Sequence, residues 1–82
     1  MSYRVEFTAK GDAETLGLPS RAFTALVDTL GAVGRDPWSA GWSDDPADPV
    51  WRWAPFGEDG AVLFYVDTSH TVVRVHTVTW TG

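Results

Sequence analysis

The chain contains no cysteine. Disulfides, thiolate zinc sites and cysteine nucleophiles are therefore excluded. Lysine is nearly absent as well: Lys10 is the single one, and six Lys and Arg face eleven Asp and Glu, for a formal net charge of −5. Broad binding to nucleic acid depends on cations that neutralise phosphates. No such broad surface is expected here, although six cations can still cluster locally. No apolar run approaches the roughly 20 residues of a membrane span. The opening Met-Ser-Tyr-Arg-Val-Glu-Phe shows no basic region followed by an apolar one. No membrane association is expected, and the cytoplasm is the expected compartment. The only histidines are His70 and His76. Two isolated imidazoles in a turn and a strand do not make a ligand set, so neither a metal site nor a cofactor is implied.

What is present is aromatic. Aromatic residues make up 13% of the 82, with five Trp. A domain this small buries only about 60–65% of its unfolded surface, and large rings bury much area per residue. One domain spanning residues 1–82 is expected.

Tyr3–Thr8 alternates with period two, Tyr3, Val5 and Phe7 on one side and Arg4, Glu6 and Thr8 on the other, which predicts a half-buried strand. Between Ala9 and Leu18 a short helix over Asp12–Leu16 is possible, bounded by Gly11 and Gly17. The clearest helix begins at Pro19-Ser20, with Pro19 at its first position or Ser20 as its cap. Phe23, Leu26, Val27, Leu30 and Val33 form its apolar stripe, with Ala22 and Ala25 beside it. Asp36-Pro37 stops it.

Residues 36–49 carry three prolines and four aspartates, which predicts an irregular segment pinned by Trp38 and Trp42. The Asp44, Asp45, Asp48 cluster lacks the spacing of a calcium loop and reads as solvated acid. Val50–Trp53 predicts a strand, residues 55–60 a turn, Ala61–Val66 a central strand, 67–70 a turn, and Thr71–Trp80 a long β-branched strand. The short connections imply a three-strand antiparallel meander. The expected fold class is α+β: an N-terminal strand, one or two helices, then the meander, with the helices on one face of a twisted sheet.

No serine stands in a nucleophile-elbow setting. On Trp51-Arg52-Trp53, the rings could stack on bases. Packing of both Trp against a helix with Arg52 outward is the preferred reading. Simple alternation along the last strand puts Val73, Val75, Thr77 and Thr79 on one face and Arg74, His76, Val78 and Trp80 on the other. If helices cover Phe64 and Val75, the opposite face displays Tyr65, Arg74, His76 and Trp80, and Arg52 could join them. Arg beside His and Tyr suits phosphate chemistry, with Arg holding the anion and His moving protons. On spacing alone, ordinary polar residues of a solvent-facing sheet are the simpler reading.

The order of segments resembles the RelE/ParE-like toxins of bacterial type II toxin–antitoxin systems. It rests on Tyr3-Arg4-Val5-Glu6-Phe7-Thr8, Leu18-Pro19 with the helix, Asp36-Pro37, Val50-Trp51-Arg52-Trp53, Val62-Leu63-Phe64-Tyr65-Val66-Asp67 and Thr71-Val72-Val73-Arg74-Val75. The resemblance implies a sheet with helices on one face, neutralised by a wrapping antitoxin. RelE-like members cleave mRNA on the ribosome and ParE-like members inhibit gyrase. On the open face read from the strand alternation, His76, Tyr65 and Arg74 are the catalytic candidates and Arg52 and Trp80 the substrate-binding ones. The family pattern is broken where Ala61 stands for a usual Arg and Trp80 for a usual basic residue. Losing one charge-stabilising group costs about 100- to 1,000-fold in rate. The expectation is a divergent toxin-like protein, weak or inactive as an mRNA endoribonuclease. Its expected partner is a cognate antitoxin, with ribosome or mRNA if it is active. The alternative is a noncatalytic protein-binding module on the same fold.

Overall fold

The structure, a computed structural model, describes residues 2–82. Its elements are β1 (Arg4–Phe7), α1 (Ala9–Ala13), α2 (Ser20–Arg35), β2 (Trp51–Phe56), β3 (Gly60–Asp67) and β4 (Val72–Trp80). The four strands form one sheet in the order β1-β4-β3-β2. The meander β2-β3-β4 is antiparallel, as its short turns require. β1 lies beside β4 and parallel to it, so the sheet is mixed. No helix is long and apolar enough to cross a membrane among the described residues.

α2 packs on one face of the sheet. Ala22, Leu26, Leu30 and Val33 are buried, and the core they complete includes Ala54, Phe56, Val62, Phe64, Val66, Val73, Val75 and Val78. The Thr29 hydroxyl donates to the Pro55 carbonyl at 3.1 Å and ties the helix to β2. The expected stripe is rotated. Phe23 and Val27 are 45% and 51% exposed. Small residues explain the rotation: Gly34 sits against the Tyr3 carbonyl and the Val5 side chain, so the helix approaches β1 through its glycine.

Pro19, with extended backbone, is the N-cap of α2, and Ser20 is its first residue. α1 begins earlier than its residues suggest, because the Thr8 hydroxyl accepts from the Gly11 N–H at 3.0 Å and caps it. Gly11 is not a boundary but the contact point. A Cβ there would lie 2.3 Å from the Val75 carbonyl oxygen. β2 runs on through Pro55 to Phe56, where the sequence suggested a turn. β2 is an edge strand, and an edge tolerates a residue with no N–H to donate.

Register corrects two assignments of face. Arg52 is paired with buried Phe64, while Trp51 is paired with Tyr65 and Trp53 with Leu63. The two Trp therefore lie on the face away from α2, and Arg52 on the α2 side. In β4 a bulge falls opposite Leu63 and Phe64: Phe64 pairs with Val75 and Leu63 with Thr77, leaving His76 as the extra residue. One extra residue inverts everything beyond it. Val78 and Trp80 turn toward the core, and Thr77 and Thr79 turn away.

Candidate functional site on the open sheet face

The open face is built by register. Trp51, Tyr65 and Arg74 form one row across β2, β3 and β4, continued by Glu6 on β1. Trp53, Leu63 and Thr77 form the next. The backbone of Trp42 exchanges two hydrogen bonds with Trp53, at 2.9 and 2.8 Å, which adds Trp42 to this second row at the β2 edge.

The Trp51 ring stands edge-on to two neighbours. Its centroid is 5.1 Å from that of Tyr65 at 66° and 5.4 Å from that of His76 at 77°. Both fall in the favourable range for T-shaped aromatic pairs. The bulge brings His76 there, since its extra residue points the imidazole across β3 toward β2. Elements around β4 hold the bulge. The Thr8 N–H and hydroxyl both donate to the Val75 carbonyl, at 3.0 and 3.2 Å. The Glu14 carboxylate accepts from the Val78 N–H at 3.0 Å, and Lys10 Nζ donates to the Thr77 hydroxyl at 3.0 Å. The Val78 N–H, then Lys10, lower the Glu14 pKa below its ordinary value.

The cations beside this face are each paired. Arg4 lies 2.8 Å from Glu6, Lys10 lies 3.1 Å from Glu14, and Arg74 contacts Asp67. Asp67 gathers further donors: the Ser69 hydroxyl at 2.7 Å, the His70 N–H at 3.1 Å and His70 Nδ1 at 2.9 Å. Arg74 first, then Ser69 and His70, hold the Asp67 carboxyl well below the usual carboxylate range, and Asp67 in turn raises Arg74.

Of the residues singled out in the sequence, Tyr65, Arg74 and His76 share the open face, and Tyr65 and His76 both touch Trp51. Arg52 and Trp80 do not join them. Arg52 turns under the 36–49 segment and donates to the carbonyls of Pro37 (3.2 Å), Trp38 (3.1 Å), Gly41 (2.8 Å) and Pro49 (3.3 Å), with its guanidinium 5.6 Å from the Trp38 ring centroid. The segment is thus held by Arg52; Trp38 and Trp42 are exposed rather than inserted in the core. Trp80 lies on the other side of the sheet, where with Ala25, Phe56 and the α2 residue Arg21 it lines a groove of about 260 Å³. Trp51, which composition assigned to the core, is the centre of the open face. The signal for it is the β2–β3 register, which a single strand does not contain. Among the described residues, no group of three or more His, Asp or Glu is placed to hold a metal ion.

What this arrangement offers is an aromatic floor with neutralised charges at its edge. Aromatic faces stack on planar groups such as nucleobases, while a guanidinium already held by a carboxylate binds a further anion poorly.

No family model and no curated protein matches the sequence. Solved structures do match the fold. A chain of the toxin–antitoxin complex RelBE2 from Mycobacterium tuberculosis is 26% identical over 99% of this chain and 93% of that one, with a TM-score of 0.85. A double arginine-to-alanine mutant of the E. coli toxin RelE in the free state is 21% identical over 98% of this chain and 84% of that one, with a TM-score of 0.83. A chain of the archaeal RelE–RelB complex from Pyrococcus horikoshii, 14% identical, covers 100% of this chain and 98% of its own with a TM-score of 0.69. The last two speak for the fold alone. The sheet order, the helices on one face and the 26% identity over nearly every residue together show the fold of the RelE-like toxin superfamily, which this chain resembles along its whole described length.

Proposed function

We propose that this chain is a toxin-like protein of a type II toxin–antitoxin pair, acting as a single unit over residues 1–82 and weak or inactive as an mRNA endoribonuclease. The toxin-like part rests on the likeness to a chain of the RelBE2 complex. The weakness rests on one observation: Arg4, Lys10 and Arg74, the cations at the open face, are each paired with a carboxylate. In-line attack of a ribose hydroxyl on a phosphate needs unpaired positive charge at the developing phosphorane. His76 and Tyr65 supply groups that exchange protons, and Arg74 is the nearest cation to them by register. A proton-transfer group without a charge stabiliser supplies only part of the rate.

The partner in this reading is a cognate antitoxin. Phe7, Leu16, Phe23 and Val27 are exposed apolar side chains, a feature that favours a protein partner. The same observation supports a second reading, a noncatalytic protein-binding module on this scaffold.

Expression of the chain in bacteria tests both halves, with growth and the 5′ ends of cellular mRNA followed after induction. The expected result is a slowed culture, relieved by co-expression of a small neighbouring gene whose product forms a stable complex, and no burst of new mRNA ends. Rapid arrest with abundant cut mRNA overturns the weak-nuclease half. Absence of any growth effect, together with failure to form a complex, overturns the toxin-like half.

A further inference from the structure

The β3–β4 turn holds a set of donors aimed at one point. Arg74 Nη1, the Ser69 hydroxyl, the His70 backbone N–H and the His70 ring nitrogen all reach the two oxygens of Asp67. Guanidinium, hydroxyl and backbone N–H are the groups that proteins use to hold phosphate. Here their ligand is a side chain of the chain itself. Elsewhere on this face, among the described residues, Glu6 is paired with Arg4, and Glu14 with Lys10 and one backbone N–H.

The position of the cluster gives it meaning. Arg74 is the β4 member of the row Trp51–Tyr65–Arg74, and Asp67 ends β3 two residues beyond Tyr65. The carboxylate therefore lies at the margin of the aromatic floor, within the span of neighbouring strands about 5 Å apart. Any anion carried on a group stacked over Trp51 or Tyr65 would meet Arg74 first, and it meets Asp67 there too. Asp67 both fills the donors and repels the newcomer. Thr71, which closes the same turn, has a positive φ of 55° without being glycine. A conformation costing roughly 1 kcal/mol or more is thus kept where the turn closes.

We infer that Asp67 masks an anion site: the donors of Arg74, Ser69 and His70 form a phosphate-binding nest on the open face that the Asp67 carboxylate occupies intramolecularly. The inference rests on the open face being the working surface of the toxin-like protein. It goes further in assigning a ligand class, a phosphate monoester or diester oxygen, and in naming the residue that keeps it out. The mask accounts for low activity by occupation of Arg74 rather than by lack of cations.

The test uses the full chain with inorganic phosphate as the probe, followed by ¹H–¹⁵N NMR at the backbone N–H of Ser69 and His70 and at Arg74 Nε. Asp67→Ala empties the nest, and Asp67→Val empties it of every acceptor while keeping a good strand residue at the end of β3. The wild-type chain is expected to show no saturable shift in the millimolar range. Either variant is expected to show saturable shifts confined to these three residues, with affinity at least about tenfold above wild type, and Arg74→Gln in the Asp67→Ala background is expected to abolish them. Asp67→Val decides the matter if Asp67→Ala fails to fold. Equal phosphate binding by the wild type, no binding by a folded variant, or binding that survives loss of Arg74 overturns the mask. Growth inhibition by the wild-type chain is scored separately. A failed mask with retained inhibition leaves the toxin-like reading standing, and a successful mask in a chain without inhibition or partner removes that reading alone.

Discussion

The Arg52 guanidinium donates to the carbonyls of Pro37, Trp38, Gly41 and Pro49. Between two Trp on a predicted strand it reads as an outward cation ready for a substrate. Its register partner is Phe64, so it points to the α2 side, and four carbonyls of the 36–49 segment use its donors. A planar fork with five N–H groups can serve several acceptors at once, which an ammonium cannot. Hydrogen bonds to a charged group contribute about 1.5–3 kcal/mol each when partly buried, though not additively. Arg52→Ala is therefore expected to destabilise the chain by about 2–4 kcal/mol in urea unfolding and to raise amide exchange across residues 38–48. Arg52→Lys is expected to recover less than half of that loss. Exchange that stays unchanged in the segment would show that Arg52 does not hold it. Gly11 makes a complementary case. Alanine is the better helix former by about 1 kcal/mol, yet a Cβ would stand 2.3 Å from the Val75 carbonyl. Gly11→Ala is expected to lower stability by about 1–3 kcal/mol despite its propensity, read as a lowered thermal midpoint.

At the scale of elements, what the sequence shows is the strands and α2, and what it hides is face and register. Alternation, β-branched content and the Pro and Gly punctuation are local, so β1, β3, β4 and the meander are legible from residues alone. The bulge is not. His76 is an ordinary strand residue until β3 is laid beside it, and only the Phe64–Val75 and Leu63–Thr77 pairs reveal the extra position. From there the expected face of Trp80 inverts. The same pairing brings Tyr65, Arg74 and His76 together, though the sequence reached that grouping from plain alternation. The core set without His76 is regular: Val73, Val75, Val78 and Trp80 alternate with Arg74, Thr77 and Thr79. Deletion of His76 is accordingly expected to leave a cooperatively folded chain, within about 2 kcal/mol of the wild type, since the period of two is restored. Deletion of Thr77 instead leaves His76 opposite Leu63 and is expected to behave likewise, whereas deletion of Val75 removes a core side chain and is expected to cost more than about 3 kcal/mol. Equal losses for the His76 and Val75 deletions would contradict the bulge assignment.

Across the whole molecule, charge is the feature that composition announced and geometry explained. A net charge of −5 suggested a poor grip on nucleic acid, but the more telling fact is local, that the open-face cations come already paired. The pairs make acid stability readable. Asp67 and Glu14 have folded pKa values below their unfolded ones. Their contribution is therefore complete above the unfolded values near pH 4 and is lost as pH falls through the depressed folded values. Stability is expected to hold from pH 7 to about 5 and to decline below about 4.5. Asp67→Asn is expected to flatten that acid limb, as seen in urea midpoints from pH 5 down to 2.5. The superfamily fold was legible from the order of segments. The pairing of Arg74 was not, because Asp67 reaches it from the neighbouring strand, whereas Arg4–Glu6 and Lys10–Glu14 join near neighbours in sequence.

The most direct measurement is cleavage of ribosome-bound mRNA by the purified chain, beside E. coli RelE in its native sequence under the same conditions. With its cations held by Glu6, Glu14 and Asp67, the chain is expected to cleave at least about 100-fold more slowly than RelE, the cost of one missing charge stabiliser. A rate within tenfold of RelE would contradict the central proposal, that paired cations leave the open face of this toxin-like chain a weak nuclease.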